Sequence, residues 1–113
     1  MIKNSIVLVP FPFDDFSASK VRPALCLTSE IGKYNHVIIA FISSIIPEEL
    51  LESDLTIEKQ SQNSLGTGLT VDSVIRLHKI VTIPKSLIKR KLGVINNSLV
   101  AEIKRKIGQL FDK

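Results

Sequence analysis

Prolines set the strongest limit on how the first third of this chain can fold. The apolar run at residues 6–9 is typical of a strand, and Pro10 and Pro12 follow it directly. Proline has no N–H group to give to a sheet ladder, so this strand must end there or lie at a sheet edge. Arg22 and Pro23 come after a polar loop, and a second apolar run follows them. The pattern therefore favours short strands joined by turns.

The polar loop at residues 14–20 separates these two runs and can face both solvent and a ligand. Arg22 follows the loop at the start of a buried run, so its aliphatic stem can pack while its guanidinium faces an anion. The planar guanidinium matches the oxygens of a phosphate group. The alternative is a structural ion pair between Arg22 and Asp14, Asp15 or Glu30.

Composition is typical of one compact domain spanning residues 1–113, since 44% of the residues are hydrophobic. The longest apolar run, residues 37–42, is far shorter than the roughly 20 residues of a membrane span, and the N-terminus does not resemble a secretory signal. The single cysteine, Cys26, provides neither a disulfide framework nor a metal cluster, so we expect a cytoplasmic protein without a membrane partner. Cys26 fits a buried core position better than a nucleophilic one.

Charge is divided unevenly along the chain. Residues 1–60 carry five Lys or Arg and eight Asp or Glu, whereas residues 61–113 carry ten and three. The two parts therefore have net charges of −3 and +7, in agreement with the total of +4. A basic half favours a polyanionic partner such as nucleic acid. The alternative is that the basic clusters at residues 89–91 and 104–106 are only solvated surface.

Short apolar runs bounded by turn residues predict a series of short strands. The predicted strands are residues 5–9, 23–28, 36–43 and 54–58, two short strands within 71–83, and residues 90–95.

The remaining segments predict turns and one helix. Pro47 opens a short helical turn with early acidic residues, residues 59–68 form a flexible segment, and Pro84 begins a turn or short helix. A terminal helix follows possible caps at residues 96–98. Its narrow apolar stripe consists of Leu99, Ile103, Ile107 and Leu110.

Together these elements predict a mainly β fold: a small, strongly curved antiparallel barrel with a C-terminal helix. Such a small sheet leaves edge strands exposed. Pairing two copies is a common remedy, so we expect a homodimer.

The order of these motifs resembles the PemK/MazF-type toxins. The resemblance rests on IVLVPFPF, SKVRPALCLTS, IIAFISS and DSVIRLHKIVTI, followed by the LG-plus-helix segment, and it spans nearly the whole chain. It implies an SH3-like barrel with short helices that forms homodimers. It also implies metal-independent, sequence-specific cleavage of single-stranded RNA, with no cofactor, and a cognate antitoxin whose disordered tail blocks the site.

The same resemblance implies the catalytic residues. Arg22 falls on the family's catalytic arginine beside proline, and Ser43 stands where many members have threonine. Arg76 and His78 stand where relatives of the Kid toxin have an arginine and an acidic residue, so histidine replaces a carboxylate here. Asn4 and Ser5 replace the usual Gly-Asp before the first strand.

These residue types suit metal-free RNA cleavage. The ribose 2′-OH must lose a proton, charge on the phosphorus oxygens must be neutralised, and the leaving 5′-oxygen must gain a proton. Arg22 would stabilise the charge, Ser43 would hydrogen-bond a phosphate oxygen or orient the 2′-OH, and His78 has an ordinary pKa suited to moving protons. Ordinary structural roles remain alternatives for each residue.

RNA binding would need a groove with polar walls and places for bases to stack. We expect residues 17–20 and 59–67 to form the walls. The predicted RNA-binding residues are Phe16, Ser17, Ser19, Lys20 and Lys79.

Two other functions remain open from the sequence. The related CcdB toxins share the barrel but act without catalysis by binding DNA gyrase. A family member that has lost catalysis and only binds nucleic acid is the other alternative. Arg22 together with a hydroxyl at Ser43 favours the nuclease.

Overall fold

The fold was analysed in a computed structural model, which describes residues 2–10 and 21–113. It contains one six-stranded antiparallel sheet with the strand order β4-β5-β3-β2-β1-β6. The strands are β1 (Ser5–Pro10), β2 (Val21–Cys26), β3 (His36–Ser43), β4 (Asp54–Ile57), β5 (Ser73–Pro84) and β6 (Arg90–Val94), and the helix is α1 (Asn97–Phe111). The predicted mainly β fold with a C-terminal helix is confirmed.

Apolar side chains cover both faces of the curled sheet. One face packs against α1, and its buried side chains include Ile6, Leu25, Ile42, Ile75 and Leu77. The opposite face carries a second buried cluster that includes Val7, Val9, Val37, Ile39 and Ile83. The alternating side chains of β1 therefore contribute to both clusters, which fixes the pairing register because a slip by one residue would exchange the faces.

The terminal helix begins where the sequence predicts. The Asn96 side chain accepts a hydrogen bond of 2.8 Å from the Leu99 backbone N–H and so caps the first turn. Leu99 and Ile103 are buried against the sheet, and Ile107 packs partly buried beside them. The predicted apolar stripe is thus the face through which α1 covers the sheet.

The loop between β4 and β5 spans the gap between the two edges of the sheet. The Gly66 carbonyl accepts a hydrogen bond of 2.8 Å from the Val94 backbone N–H in β6. Gly68 has a φ of +76°, and a side chain there would overlap the backbone of Leu92. These glycines let the loop pack directly on β6. Gly66 and Gly68 therefore allow the loop to close the sheet against β6.

Residues 59–68, which the sequence predicts to be flexible, form several hydrogen bonds between side chains and backbone. Residues Gln62–Ser64 form a 3₁₀ turn. Thr67 is fully buried, and its hydroxyl donates to the Ser64 carbonyl at 2.7 Å. Composition suggested a solvated loop, whereas bonds between side chains and backbone fold it into a compact connection.

Two further expectations need correction. The predicted helical turn after Pro47 forms no helix. The two predicted strands in residues 71–83 are one strand, β5, with a register shift: Ala40 pairs with Ile80, and the adjacent Phe41 pairs with Arg76. Three residues of β5 are thus accommodated as an irregularity that bends the strand without breaking it.

The second strand is displaced from its predicted position. It begins at Val21 and ends at Cys26, so Pro23 lies inside it and not at its start. Pro23 pairs with Leu8 of β1, while the recorded pairing of β2 with β3 begins only at Ala24. Pro23, which has no backbone N–H, therefore lies beyond the part of β2 that pairs with β3.

Candidate functional site

A cavity of about 240 Å³ opens at the end of the sheet where β1, β2 and β3 meet the β4–β5 loop. Leu8, Pro23 and Ile42 line it from three adjacent strands. Arg22 and Ser44 lie beside them, and residues 68–71 with Leu92 of β6 form the remaining wall. Residues 59–67 were expected to form a wall of the site. Residues 68–71 line the cavity instead, and Thr67 is buried within the loop.

Arg22 is the second residue of β2 and is among the residues that line this cavity. It is half-buried and pairs with Val9 of β1. Ser44 follows the last residue of β3 and lines the same cavity as Arg22. The two strand ends predicted from the sequence to form a site therefore do lie side by side.

The two serines at the end of β3 have different environments. The Ser43 hydroxyl accepts a hydrogen bond of 3.0 Å from the Ile45 backbone N–H and donates one of 3.2 Å to the Ile45 carbonyl. Ser43 thereby holds the turn that follows the strand. Ser44 is exposed, lines the cavity and, within residues 2–10 and 21–113, makes no side-chain hydrogen bond. Ser44 is therefore the serine of the pair that lines the cavity.

Further hydroxyl groups come from the loop wall. Thr70 is exposed in the cavity wall, and the described part of the chain offers its hydroxyl no hydrogen bond. Ser73 is buried, and its hydroxyl donates to the Val71 carbonyl at 2.9 Å. Arg22 thus shares its cavity with two accessible hydroxyls, those of Ser44 and Thr70. A cation next to neutral hydrogen-bond donors is suited to a phosphate group.

Arg76 belongs to a second cluster, on β4 and β5. Its Nε and Nη2 donate to the two carboxylate oxygens of Asp54 at 3.0 and 3.3 Å. The Asp54 side chain is 0% exposed and that of Arg76 is 19% exposed. Asp54 also accepts from the Leu51 backbone N–H at 2.9 Å. The pair therefore anchors the β3–β4 loop to β5.

His78 lies next to this ion pair. Its Nδ1 is 3.3 Å from the Ser53 hydroxyl and 3.9 Å from an Asp54 carboxylate oxygen. Partial burial and the nearby Arg76 charge lower the pKa of His78, and the Asp54 charge opposes that shift only in part. Lys79 lies 5.7 Å from the centre of the Phe41 ring, a cation–π distance.

A larger cavity, of about 450 Å³, lies between this cluster and α1. His78 lines it together with residues 50–53, Lys106 and Leu110. Among the described residues, the two cavities share no lining residue. The structure thus brings Arg22 together with the serines at the end of β3 and places Arg76 and His78 in different surroundings. Catalytic roles for Arg76 and His78 stay predictions.

Four of the predicted RNA-binding residues lie outside the described residues; they are Phe16, Ser17, Ser19 and Lys20. Within the described ranges there is no group of three or more His, Cys, Asp or Glu that could hold a metal ion. Cys26 is buried, and burial, with a smaller contribution from Glu30, raises the pKa of its thiol to about 11. Its predicted core position is confirmed.

The sequence reasoning missed Ser44, Thr70 and Gly68 as parts of the cavity. The Ser43-Ser44 doublet was a signal, because either hydroxyl could stand at the end of the strand. Thr70 and Gly68 carried no comparable signal, since only the closure of the sheet by their loop brings them to Arg22.

None of the helices in the described residues is long and apolar enough to cross a membrane. A comparison with curated protein sequences gives no match.

Solved structures give several matches to the fold. The Mycobacterium tuberculosis toxin MazF-mt6 superimposes with a TM-score of 0.72 at 23% identity, covering 96% of each chain. A structure described as an Mtb toxin gives a TM-score of 0.67 at 20% identity, covering 92% of this chain and 97% of that one. An endoribonuclease in complex with its cognate antitoxin, from a mycobacterial species, gives 0.70 at 10% identity, covering 99% and 95%. At these identities the matches establish the fold.

The family model for the PemK-like, MazF-like toxins of type II toxin–antitoxin systems matches residues 3–111. This match covers the strands that line the Arg22 cavity, the loop that closes it and the terminal helix. The chain therefore belongs to the PemK-like, MazF-like family of type II toxins.

Proposed function

We propose that the protein is a toxin that cleaves single-stranded RNA at specific sequences by internal attack of the ribose 2′-OH, without a metal ion. The observation that carries this proposal is the placement of Arg22 in one open cavity with the exposed hydroxyls of Ser44 and Thr70. Membership of the PemK-like, MazF-like family supports it, and so does the similarity in fold to a solved endoribonuclease.

The proposed reaction begins when the 2′-oxygen loses its proton and attacks the adjacent phosphorus. The bond from phosphorus to the 5′-oxygen breaks, and that oxygen takes up a proton. The products are a 2′,3′-cyclic phosphate and a 5′-hydroxyl. Negative charge builds up on the non-bridging oxygens as the new bond forms, so a cation held at that point lowers the barrier.

Arg22 would supply this cation. Its parallel N–H groups match two phosphate oxygens, and the cavity beside it is lined by apolar strand residues that strengthen the interaction. Removing a comparable preorganised donor costs ~3 kcal/mol of transition-state stabilisation in other enzymes. We therefore assign the main electrostatic role to Arg22.

The serines at the end of β3 would divide two tasks. Ser44 would donate to a non-bridging oxygen or orient the 2′-OH from the cavity wall. Ser43 would hold the turn that presents Ser44, because both of its hydrogen bonds go to the backbone of Ile45. His78 remains the candidate proton shuttle, and a comparison of pH–rate profiles for the wild type and His78→Ala tests it: identical profiles would remove His78 from the mechanism.

We also propose a homodimer that is inhibited by a cognate antitoxin with a disordered tail. The similar endoribonuclease was solved in complex with its cognate antitoxin. Exposed apolar side chains such as Ile45 (76% exposed) and Phe111 (68% exposed) are suited to burial between two copies. Light scattering coupled to size-exclusion chromatography should give twice the chain mass; a single-chain mass at micromolar concentration would contradict the dimer.

The test of the proposed activity is incubation of the purified protein with a long single-stranded RNA in excess EDTA. We expect cleavage at a short recurring sequence, with cyclic phosphate ends on the upstream fragments. Arg22→Ala should abolish cleavage, and Arg105→Ala, an exposed arginine on α1 (Arg105 side chain 56% exposed), is the matched control. Intact RNA with the wild type would contradict the nuclease and favour a toxin that acts by binding alone.

A further inference from the structure

We propose that a cavity between β1 and β6, on the face of the sheet opposite α1, binds a small organic anion. The anionic group would lie against the side chains of Ser5 and Lys91, and the apolar body against the apolar wall beside them. The cavity measures about 320 Å³. Among the described residues it shares none of its lining with the Arg22 cavity, so this site is separate from the proposed RNA site.

Strand register brings Ser5 and Lys91 to the same face of the sheet. Val7 of β1 belongs to the buried cluster on the face opposite α1. Lys91 of β6 pairs directly with Val7, and residues directly opposite one another in antiparallel strands project from the same face. Ser5 precedes Val7 by two residues in β1, so its side chain projects from this face as well. All three residues line the cavity.

Ser5 contributes a buried hydroxyl without a partner. The residue is 0% exposed. Among the buried side-chain nitrogen and oxygen atoms of the described residues, the Ser5 Oγ is the one that has no hydrogen-bond partner. Buried polar groups are normally paired, because an unpaired one has given up its hydrogen bonds to water without replacement. The Ser5 hydroxyl therefore indicates a partner from outside the chain, and it can donate to an anion in the cavity.

Lys91 contributes a positive charge. It is exposed and, within residues 2–10 and 21–113, makes no ion pair or side-chain hydrogen bond. Lys85 also lines the cavity, but its Nζ lies 3.0 Å from a carboxylate oxygen of Glu30, which lines the cavity too. Two lysines and one glutamate give these cavity side chains a net charge of +1. This charge favours an anion over a neutral molecule or a cation.

Apolar side chains line the rest of the cavity. Ile2 and Ile88 are half-buried and pack against the cluster that contains Val7. An inorganic anion would leave these side chains in contact with water, whereas a ligand with an apolar body would bury them. A hydroxyl and an ammonium can both donate to a carboxylate or to a phosphate monoester. The chemistry that the site recognises is therefore either of these groups on a small apolar body.

An NMR titration of the isotope-labelled full chain tests the site. The probes are benzoate, phenyl phosphate, benzyl alcohol and inorganic phosphate. We expect benzoate or phenyl phosphate to shift the amide signals of the cavity residues along a saturating curve. Benzyl alcohol lacks the charge and inorganic phosphate lacks the apolar body, so each should bind at least about fivefold more weakly than the better anion. Equal binding of benzyl alcohol would overturn the role of the charge.

Substitution of Lys91 tests the cation. Lys91→Gln should weaken binding of the better anion by about tenfold, the size expected for one hydrogen bond to a charged group. Lys91→Arg keeps the charge and should keep most of the affinity. Lys104→Gln removes the same charge from an exposed position on α1, on the other side of the sheet, and is the matched control. Equal losses for Lys91→Gln and Lys104→Gln would overturn the site.

Ser5→Ala separates a ligand-binding hydroxyl from a structural one. We expect it to weaken binding of the better anion several-fold. The melting temperature of the free protein should stay equal or rise, because the substitution removes an unpaired buried hydroxyl. A lower melting temperature with unchanged binding would show that the hydroxyl serves the fold, and would overturn its role in the site.

These outcomes do not depend on RNA cleavage. Saturable binding of an anion that Lys91→Gln weakens and Lys104→Gln does not supports the site, even in a protein that leaves RNA intact. A wild type that cleaves RNA but shows no saturable binding of benzoate or phenyl phosphate overturns this site and leaves the proposed nuclease in place.

Discussion

Arg22 and Arg76 are both half-buried arginines on strands of one sheet, yet the structure gives them different surroundings. Arg22 lies at a strand end, in an open cavity with two exposed hydroxyls. Arg76 lies at the irregularity of β5, bonded through two nitrogens to a carboxylate that is fully withdrawn from water. The comparison teaches that two half-buried arginines of one sheet can have different environments: Arg22 lies in the wall of an open cavity, and Arg76 is bound to a buried carboxylate.

The Arg22 side of the comparison gives the largest expected effect. Arg22→Ala should lower kcat/KM for RNA cleavage by about 100-fold or more, since ~3 kcal/mol corresponds to about two powers of ten. Cleavage is compared per folded molecule, so that any change in stability is counted separately. Arg22→Lys should recover only part of the activity, because an ammonium lacks the forked geometry. Activity within threefold of the wild type for Arg22→Ala would break the comparison.

The Arg76 side predicts a loss of stability. Asp54→Ala should destabilise the protein by about 3 kcal/mol, because it leaves Arg76 without its partner and the Leu51 N–H without its acceptor. Chemical denaturation followed by circular dichroism measures this change. The double variant Asp54→Ala/Arg76→Met should be less destabilised than Asp54→Ala alone, since it leaves no unpaired charge. Additive losses would show that the two side chains do not act as a pair.

Substitutions of Ser43 and Ser44 test the comparison further, and their expected effects are smaller. Ser44→Ala should lower kcat by about tenfold without changing stability. A tenfold change in rate corresponds to ~1.4 kcal/mol of activation free energy, the usual size for one lost hydrogen bond. Ser43→Ala should lower both the stability and kcat slightly, because it loosens the turn. Single-turnover cleavage and thermal melting of the two variants are the matched measurements. A larger kcat loss for Ser43→Ala than for Ser44→Ala would reverse the assignment.

His78 gives the smallest expected effect, in the dependence of stability on pH. The pKa of His78 in the fold lies below its ordinary value of about 6.5, so the unfolded chain takes up this proton first. The neutral ring therefore contributes stability above pH 6.5, which is lost as the pH falls from there through the lowered pKa. Between pH 7.5 and pH 5, the melting temperature of His78→Gln should fall by less than that of the wild type.

His36→Gln removes the other histidine and controls for a general effect of losing an imidazole. If His78→Gln and the wild type lose equal stability on acidification, the partial burial of His78 beside Arg76 has no energetic consequence.

Local patterns predicted much of the fold. The β3 boundaries follow from a continuous apolar, β-branched run of strand length, and the apolar stripe of α1 follows from helical periodicity. Both patterns depend on neighbouring residues alone. The segment after Pro47 shows the limit. Its early acidic residues favour a helical turn, but Asp54 binds the Leu51 N–H and, 22 residues along the chain, Arg76. Local helix preference could not reveal the bond between Asp54 and Arg76. Tertiary contacts of this kind override local preference.

The site was predictable only in part, for a related reason. Arg22 and the end of β3 were visible because prolines and apolar runs mark strand ends. Which hydroxyl faces the cavity depends on the turn at Ile45, and the wall formed by Thr70 depends on the glycines that let its loop reach β6. Sequence spacing carries neither kind of information.

The most direct test of the central claim measures two variants side by side, Arg22→Ala and Arg76→Ala, for RNA cleavage in EDTA per folded molecule and for melting temperature. We expect Arg22→Ala to lose cleavage per folded molecule. We expect Arg76→Ala to have a lower melting temperature and to keep most of its cleavage once the folded fraction is counted. A stable Arg76→Ala variant without activity, or an active Arg22→Ala variant, would contradict the central claim.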